Sequence, residues 1–507
     1  MKRGMMRASK KIIVAFLMLV LASLSGYGYA DETGGIDVIL VMDSSGSMKK
    51  TDPMTLRIPA ARLFLSLLGK HDRASVVSFS DKGYPLMQLM KIDGNDERLY
   101  DTVGRISSRG MYTNIYDALL KGFDVLRANW LRDRKKIIVL MSDGKMDVGD
   151  PAKDRQLVQR VQQELVPRLR ERRIRIYTIA FSEFSDRKLL GEIAERTDGS
   201  FNLALEDRDL HKIFSSIFEN AKQPEMLPIE GGSFLVDPSI QEVTIVATKG
   251  KPDAKIMLQS PDGKKYSSFQ SAGDMEWFIS REFVMVTVRK PIPGTWELLF
   301  SADEGNKAYI ISDLQLKTNF DRLNIPLYEP VNFDVWLEKD GAVLNEKLIL
   351  EGVDLFAEVG EAGSEPVMMK LGDTGNKGDR HKNDGLFSFL YIPRSARQAE
   401  IRIVAKGKTF EREKVFHLNI IGPEKEEEVH DETKRDGSDQ VTERQHDEEQ
   451  VEWKKVLTRF VILNLIVAMG FLFYAKRGIL MKGSRSRPAN NDKEEGSEKE
   501  EKDNDQD

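Results

Sequence analysis

The sequence predicts an α/β head with a doubly wound, mostly parallel sheet, then two β-sandwich (Ig-like) modules and a single transmembrane helix. Three observations predict it. Over the first 222 residues, continuous apolar runs such as "IDVILVM" and "KKIIVLM" alternate with amphipathic stretches. Strands buried on both faces and the helices that cover them have that pattern. From about Pro224 the pattern becomes short alternating segments separated by Pro, Gly and Asp turns, the spacing of small antiparallel sandwiches. Near the C-terminus a long apolar segment is flanked by aromatics and followed by basic residues.

Bulk properties bound the function. With 507 residues, 40% of them hydrophobic, the chain can bury several cores. Its 76 Lys and Arg against 81 Asp and Glu leave a net charge of −5, no footprint for nucleic acid. It has no cysteine, which excludes disulfides, zinc–thiolate sites and a cysteine nucleophile. The absence of cysteine and of Asn-X-Ser/Thr sequons suits a bacterial extracytoplasmic protein.

Residues 1–30 read as a secretory signal. Lys2, Arg3, Arg7, Lys10 and Lys11 precede the apolar run Ile12 to Leu24, and Gly28 and Ala30 are the small residues of a cleavage site. The head occupies 31–222. Its strands are "IDVILVM", "ASVVSFS", "KKIIVLM", "IRIYTIAF" and "FNLAL". Helical spacing follows at Pro53 to Leu68, in "TNIYDALLKGFDVLRA", at Lys153 to Arg172, near Lys188 to Arg196 and at Leu210 to Ala221. The sandwiches are set at 223–318 and 319–422, in series along the chain. Residues 423–450, with twelve acids against four bases, cannot bury enough surface to fold and form a linker with a reach of about 30 Å. The span is set at 456–475, where Val456 to Tyr474 would give about 28 Å of helix. Residues 476–507 form a tail that starts with Lys476, Arg477, Lys482, Arg485 and Arg487, the mark of a cytoplasmic side. The expected topology is a single-pass membrane protein. Its folded domains lie outside the cytoplasm, at the periplasm or cell surface, and its C-terminus lies inside.

The chemistry concentrates in "VMDSSGSMKK". Asp43, Ser45 and Ser47 follow a buried strand and so lie at the carboxyl edge of the sheet, where open α/β sheets bind ligands. Thr113, before a helix, and Asp143, at the end of "IIVLMSD", reach the same edge. Two carboxylates and three hydroxyls are hard oxygen donors that suit magnesium completed by water. Separately, each has a plainer reading: Ser45, Ser47 and Thr113 as helix N-caps, Asp143-Gly144 as a turn. Asp147 and Asp150, close behind, read as a solvated loop.

In this order and context the five residues resemble the metal-ion-dependent adhesion site of von Willebrand factor type A domains, and Ile36 to Lys222 resembles the whole domain. The resemblance implies a Rossmann-like doubly wound fold. It also implies a divalent cation, usually Mg2+ with Mn2+ or Ca2+ as substitutes, whose open position a partner's acidic side chain fills. One departure is "GMYT", which places Met111 and Tyr112 where a glycine pair is commoner and so changes the rim of the site.

A second cluster, Asp373, Asp379 and Asp384 in "LGDTGNKGDRHKNDG", has glycines at turn spacing. Gly375 and Lys377 stand at ligand positions of an EF-hand register and no helices are expected to flank the loop, which argues against an EF-hand. The segment resembles a turn-rich motif of bacterial surface sandwiches and of calcium-activated chloride channel regulators, which also pair a type A domain with downstream sandwiches. The resemblance leaves a weaker candidate Ca2+ site here beside a turn-forming role. Trp296 in "PIPGTWELLF" reads as a core plug. The chain has no HExxH, no G-x-S-x-G elbow, P-loop or GxGxxG in a suitable context, so an enzyme is not expected and no catalytic residue is assigned. The expected function is cation-mediated binding of a protein partner. The alternative is a regulator or assembly factor of an envelope or membrane complex.

Overall fold

A computed structural model describes residues 35–92, 97–183, 185–206, 209–344, 352–361, 363–376, 378–395 and 398–422. The signal, the acidic linker, the 456–475 span and the tail lie outside the described residues. Among the described residues no helix is long and apolar enough to cross a membrane. Residues 35–422 belong to one compact unit.

The head is built on β1 (Ile36–Asp43), β2 (Arg73–Phe79), β3 (Gly83–Lys91), β4 (Lys135–Ser142), β5 (Ile174–Ala180) and β6 (Phe201–Leu203). Their order is β3-β2-β1-β4-β5-β6, parallel except for β3. Every residue of β1 is buried, which is why it reads as one apolar run. Val38, Leu40 and Met42 enter the core on one face, and Ile39 and Val41 the core on the other. The short turn α1 (Met48–Thr51), α2 (Arg57–Ser66) and α3 (Glu97–Gly104) precede α4 (Ile115–Ala128). Then come α5 (Pro151–Arg160), α6 (Val166–Glu171), α7 (Arg187–Arg196) and α8 (Asp209–Lys222). α2, α3 and α8 cover the first face, and α4, α6 and α7 the second. A π-helical turn, Val161–Leu165, joins α5 to α6. It falls just before Pro167, which has no N–H to continue the ladder.

Two elements were not expected. The edge strand β3 and the helix α3 lie between "ASVVSFS" and α4. β3 pairs with β2 through two register shifts and carries Pro85, which edge strands tolerate.

The β region contains β7 (Glu225–Leu227), β8 (Ser233–Val236), β9 (Ile240–Thr248), β10 (Met257–Gln259), β11 (Lys265–Tyr266), β12 (Met275–Ile279), β13 (Phe283–Arg289), β14 (Gly294–Leu299) and β15 (Lys307–Ser312). It continues with β16 (Leu314–Thr318), β17 (Asn324–Pro326), β18 (Val331–Lys339), β19 (Ala342–Val343), β20 (Asp354–Glu361), β21 (Val367–Lys370), β22 (Phe387–Tyr391), β23 (Gln398–Lys406) and β24 (Glu411–Ile421). The two modules are not simply strung in series. One ten-stranded sheet, β12-β13-β9-β15-β7-β24-β23-β20-β21 with β17 beside β24, runs through both. The three-residue β7 joins them, pairing with β15 on one side and β24 on the other. Separate small sheets, β11-β10-β14-β8 and β16-β18-β19 with β22, close the two cores. Trp296 is buried in the first of these and donates its indole N–H to the Ile292 carbonyl at 2.9 Å.

Alternation along the shared sheet attaches the head. Val243, Ile245 and Ala247 of β9 face the first sandwich core, while Val246 faces the head. Tyr309 of β15, Phe283 of β13 and Val415 of β24 join the same head-facing core as α2 and α8. Phe218 on α8 meets Tyr309 edge-on at 5.2 Å between ring centroids. Glu219, fully buried beside it, accepts from Tyr309 Oη at 2.8 Å and bonds His417 Nε2 of β24 at 2.6 Å. Lys307 Nζ lies 3.5 Å from the same carboxylate. Burial pushes Glu219 up, but Lys307, His417 and Tyr309 outweigh it and hold its carboxyl down at about 2.

Candidate metal centre

β1 and β4 are neighbours in parallel register, so Asp43 and Ser142 end their strands side by side at the carboxyl edge. The loop after Asp43 is tied down first. Ser44 donates from both its backbone N (2.8 Å) and its hydroxyl (2.7 Å) to the Phe79 carbonyl at the end of β2. It is then joined to the loop before α4. Gly46 N donates to Gly110 O at 2.7 Å, and Gly110 N to Ser44 O at 2.8 Å. A Cβ at Gly110 would stand 2.3 Å from the Ser80 Cβ, so only glycine permits this approach. Beneath the loops, the fully buried Arg57 bonds Asp52 Oδ2 at 2.6 Å and Ser108 Oγ at 2.7 Å, fixing the two loops from behind.

Asp43, Ser45, Ser47 and Asp143 meet within this frame, and Thr113 is placed beside them over Gly144. Ser47 Oγ donates to Asp143 Oδ1 at 2.8 Å, Ser45 Oγ reaches the same oxygen at 3.5 Å, and the two hydroxyls are 2.9 Å apart. Asp43 is fully buried, and its carboxylate accepts from Ser45 N at 2.8 Å and from Ser142 Oγ at 2.7 Å. Thr113 is held by a reciprocal backbone pair with Asp147 at 2.8 and 3.0 Å, its hydroxyl lying over Gly144.

The capping alternative fails at two positions. Ser47 occupies the N-cap of α1 yet its side chain makes no cap bond. The cap of α4 is Asn114, which accepts from Asp117 N at 3.0 Å, and not Thr113. These hydroxyls are therefore free of the helix ends: Ser47 turns to Ser45 and Asp143, and Thr113 lies over Gly144. Asp150 does cap α5 and Asp147 accepts from Gly149 N at 2.8 Å, so both serve the loop.

The donor set fits a hard divalent cation. Octahedral magnesium with bonds of about 2.0–2.1 Å sets neighbouring ligand oxygens about 2.9 Å apart. The Ser45–Ser47 and Ser47–Asp143 separations are 2.9 and 2.8 Å. Burial, reinforced by the Asp143 charge and opposed by the Ser45 and Ser142 hydrogen bonds, pushes Asp43 up to about 6. Two acids so placed gain from a positive charge between them.

Two polar contacts were not read from the sequence. Thr51 Oγ1 donates to Asp143 Oδ2 at 2.5 Å and Ser142 orients Asp43. The signal for Thr51 was its place four residues after Ser47, on the same helical face. At the rim, Met111 is 81% exposed, whereas Tyr112 packs over Gly149, whose φ of +80° and missing Cβ make room for the ring.

The second cluster also assembles. Asp373, Asp379 and Asp384 bring one carboxylate oxygen each within 4.8 Å of one another. Their carboxylates already accept loop N–H groups: Asp373 from Gly385 at 3.0 Å, Asp379 from Gly375 at 2.6 Å, and Asp384 from Leu386 at 2.9 Å.

Two family models match the head and the region that follows it. Residues 37–216 match the family of the von Willebrand factor type A domain, and residues 221–311 match the Hemicentin galactose-binding domain-like family. Mouse calcium-activated chloride channel regulator 3A-1 is 25% identical over 383 residues, 69% of this chain and 40% of that protein. Bovine calcium-activated chloride channel regulator 1 is 24% identical over 388 residues, with the same coverage of 69% and 40%. The chain thus spans about 40% of the length of these relatives. Among solved structures, a von Willebrand factor type A protein from Catenulispora acidiphila is 13% identical with a TM-score of 0.31, covering 78% of this chain and 67% of its own.

Proposed function

We propose that this chain, whose head is a von Willebrand factor type A domain, binds a protein partner through a divalent cation completed by a carboxylate of that partner. The observation that carries the reading is the meeting of Ser45 and Ser47 with Asp143, 98 and 96 residues away, with hydroxyls that no helix end uses. Asp43, Ser45, Ser47, Thr113 and Asp143 would hold the ion, directly or through water. When bound, it supplies an electrophilic position that accepts an acidic oxygen. Magnesium suits the three neutral hydroxyls and two carboxylates best, with Mn2+ or Ca2+ as substitutes. We read the protein as a binding module without catalysis, because the sequence carries no HExxH, no G-x-S-x-G elbow and no P-loop or GxGxxG in a suitable context.

The signal, linker and apolar span of the sequence support a location of the folded domains outside the cytoplasm, with the 456–475 segment as membrane anchor. A role as regulator or assembly factor is favoured by one further observation. The head is bonded into the shared sheet through Glu219, Tyr309 and His417, as in a part of a rigid body rather than a free tether. The names of the mouse and bovine relatives point the same way. Asp373, Asp379 and Asp384 we read as turn formers, because their oxygens are engaged by their own loop. Stoichiometric terbium luminescence that disappears in Asp379→Asn would instead establish calcium binding there.

The test is capture of partners from native membranes by the wild-type chain, by Asp43→Ala, and by wild type with chelator. The reading expects a partner in the first arm alone. The same partners in all three arms would remove the cation from the mechanism. Protease protection of the head on the cytoplasmic side would overturn the location.

A further inference from the structure

At the end of the head opposite Asp43, two basic runs enter neighbouring strands. Residues 132–136 read "RDRKK" and residues 168–175 read "RLRERRIR". β4 and β5 are parallel, with Lys136 opposite Ile174, so the topology sets the two runs side by side. The net charge of −5 conceals this concentration. An open cavity of about 530 Å³ lies between the runs, with Trp130 in its wall. Its lining has seven cations against three acids, Asp133, Glu171 and Asp321. Its volume falls within the range of about 300–1,000 Å³ usual for small-ligand sites.

The cations divide into two sets. Arg134, Lys136 and Arg175 are committed to structure. Arg134 bonds Asp37 at 2.7 Å, Arg175 bonds Asp198 at 2.9 Å, and Lys136 donates to the Arg134 carbonyl at 2.8 Å while lying 4.2 Å from the Trp130 ring centre. Arg132, Lys135, Arg172 and Arg173 are open to solvent, and none forms an ion pair with an acid of the described residues. Although the Lys135 side chain is exposed, the surrounding protein bulk and then the charge of Arg175, opposed by Asp321 and joined by Lys222 and Lys414, pull its ammonium below the usual lysine range.

We infer that this cavity is a binding site for a phosphate group. Four cations outside any ion pair, against the lining acids Asp133, Glu171 and Asp321, leave an excess of positive charge that suits a doubly charged tetrahedral oxyanion. Planar guanidiniums at Arg132, Arg172 and Arg173 can each present two parallel N–H donors to it. The group could come from free phosphate or from a phosphomonoester such as a lipid headgroup.

Calorimetric titration of the purified full chain at fixed ionic strength distinguishes these cases. The probes are inorganic phosphate and glycerol phosphate. The variants are Lys135→Gln/Arg172→Gln and, as a control for lost charge, Lys49→Gln/Lys50→Gln at the other end of the head. Saturable phosphate binding should weaken at least tenfold in the first variant and stay unchanged in the control, with the thermal unfolding of both like that of wild type. Binding of glycerol phosphate as well assigns the site to phosphomonoesters, and binding of inorganic phosphate alone assigns it to the free ion. No saturable binding of either probe to wild type, or equal affinity in Lys135→Gln/Arg172→Gln, overturns the inference.

Discussion

Replacing Glu219 by Gln should remove about 3 kcal/mol of stability at neutral pH, and the loss should disappear in acid. Glu219 is fully buried on α8 and binds Tyr309 of the first sandwich and His417 of the second, with Lys307 at 3.5 Å. Two estimates of magnitude converge. Its carboxyl falls from an ordinary 4.5 to about 2. At about 1.4 kcal/mol per pH unit that drop corresponds to about 3 kcal/mol. Breaking a buried ion pair by removing one partner costs about 3–5 kcal/mol. The depressed value fixes the sign. The stabilisation is fully present above about pH 4.5 and is lost as pH falls through about 2, below which folded and unfolded states are both protonated. The assay is urea unfolding of wild type and Glu219→Gln between pH 7 and pH 2, with the first transition taken as the separation of the head. Comparing the two proteins at each pH cancels the contribution of other carboxylates. A difference below about 1 kcal/mol at pH 7, or one that stays constant down to pH 2, would refute the reasoning.

Arg412→Met should destabilise the joint between the sandwiches by about 3–5 kcal/mol, because Asp237 would lose the guanidinium 2.7 Å away and stay buried; denaturant midpoints check this. Gly110→Ala should cost about 1–3 kcal/mol through overpacking against Ser80, and divalent-cation affinity should fall with it, read by calorimetry. Trp296→Ala should cost about 3–5 kcal/mol in the first sandwich core and leave cation affinity unchanged, since the residue is remote from the loops at Asp43.

Much of the head was legible because parallel strands buried on both faces announce themselves as apolar runs, and β1, β4 and β5 are such strands. The candidate site was legible for a related reason. Acids and hydroxyls placed where such a run stops have few uses, and Asp43 and Asp143 end or follow two of them. β3 was not legible, since Pro85 and two register shifts break its alternation. The shared sheet escaped because β7 is only three residues, and its pairing with β24 joins Met226 to Glu413, far beyond any local pattern. Glu219 was hidden for a similar reason. A helix with one wet face is readable, but in α8 His211, Ser215, Glu219 and Asn220 are buried along with the apolar residues. Their partners, such as His417, lie in a strand nearly two hundred residues later.

The central claim is that the loops at Asp43, Thr113 and Asp143 hold a divalent cation. Calorimetric titration of Mg2+ into the chelator-treated chain, with Asp43→Ala and Asp143→Ala beside it, tests this most directly. The account predicts one saturable site in wild type and none in either variant, with all three folded by circular dichroism. Equal Mg2+ binding in the three proteins, or none in wild type, would contradict it.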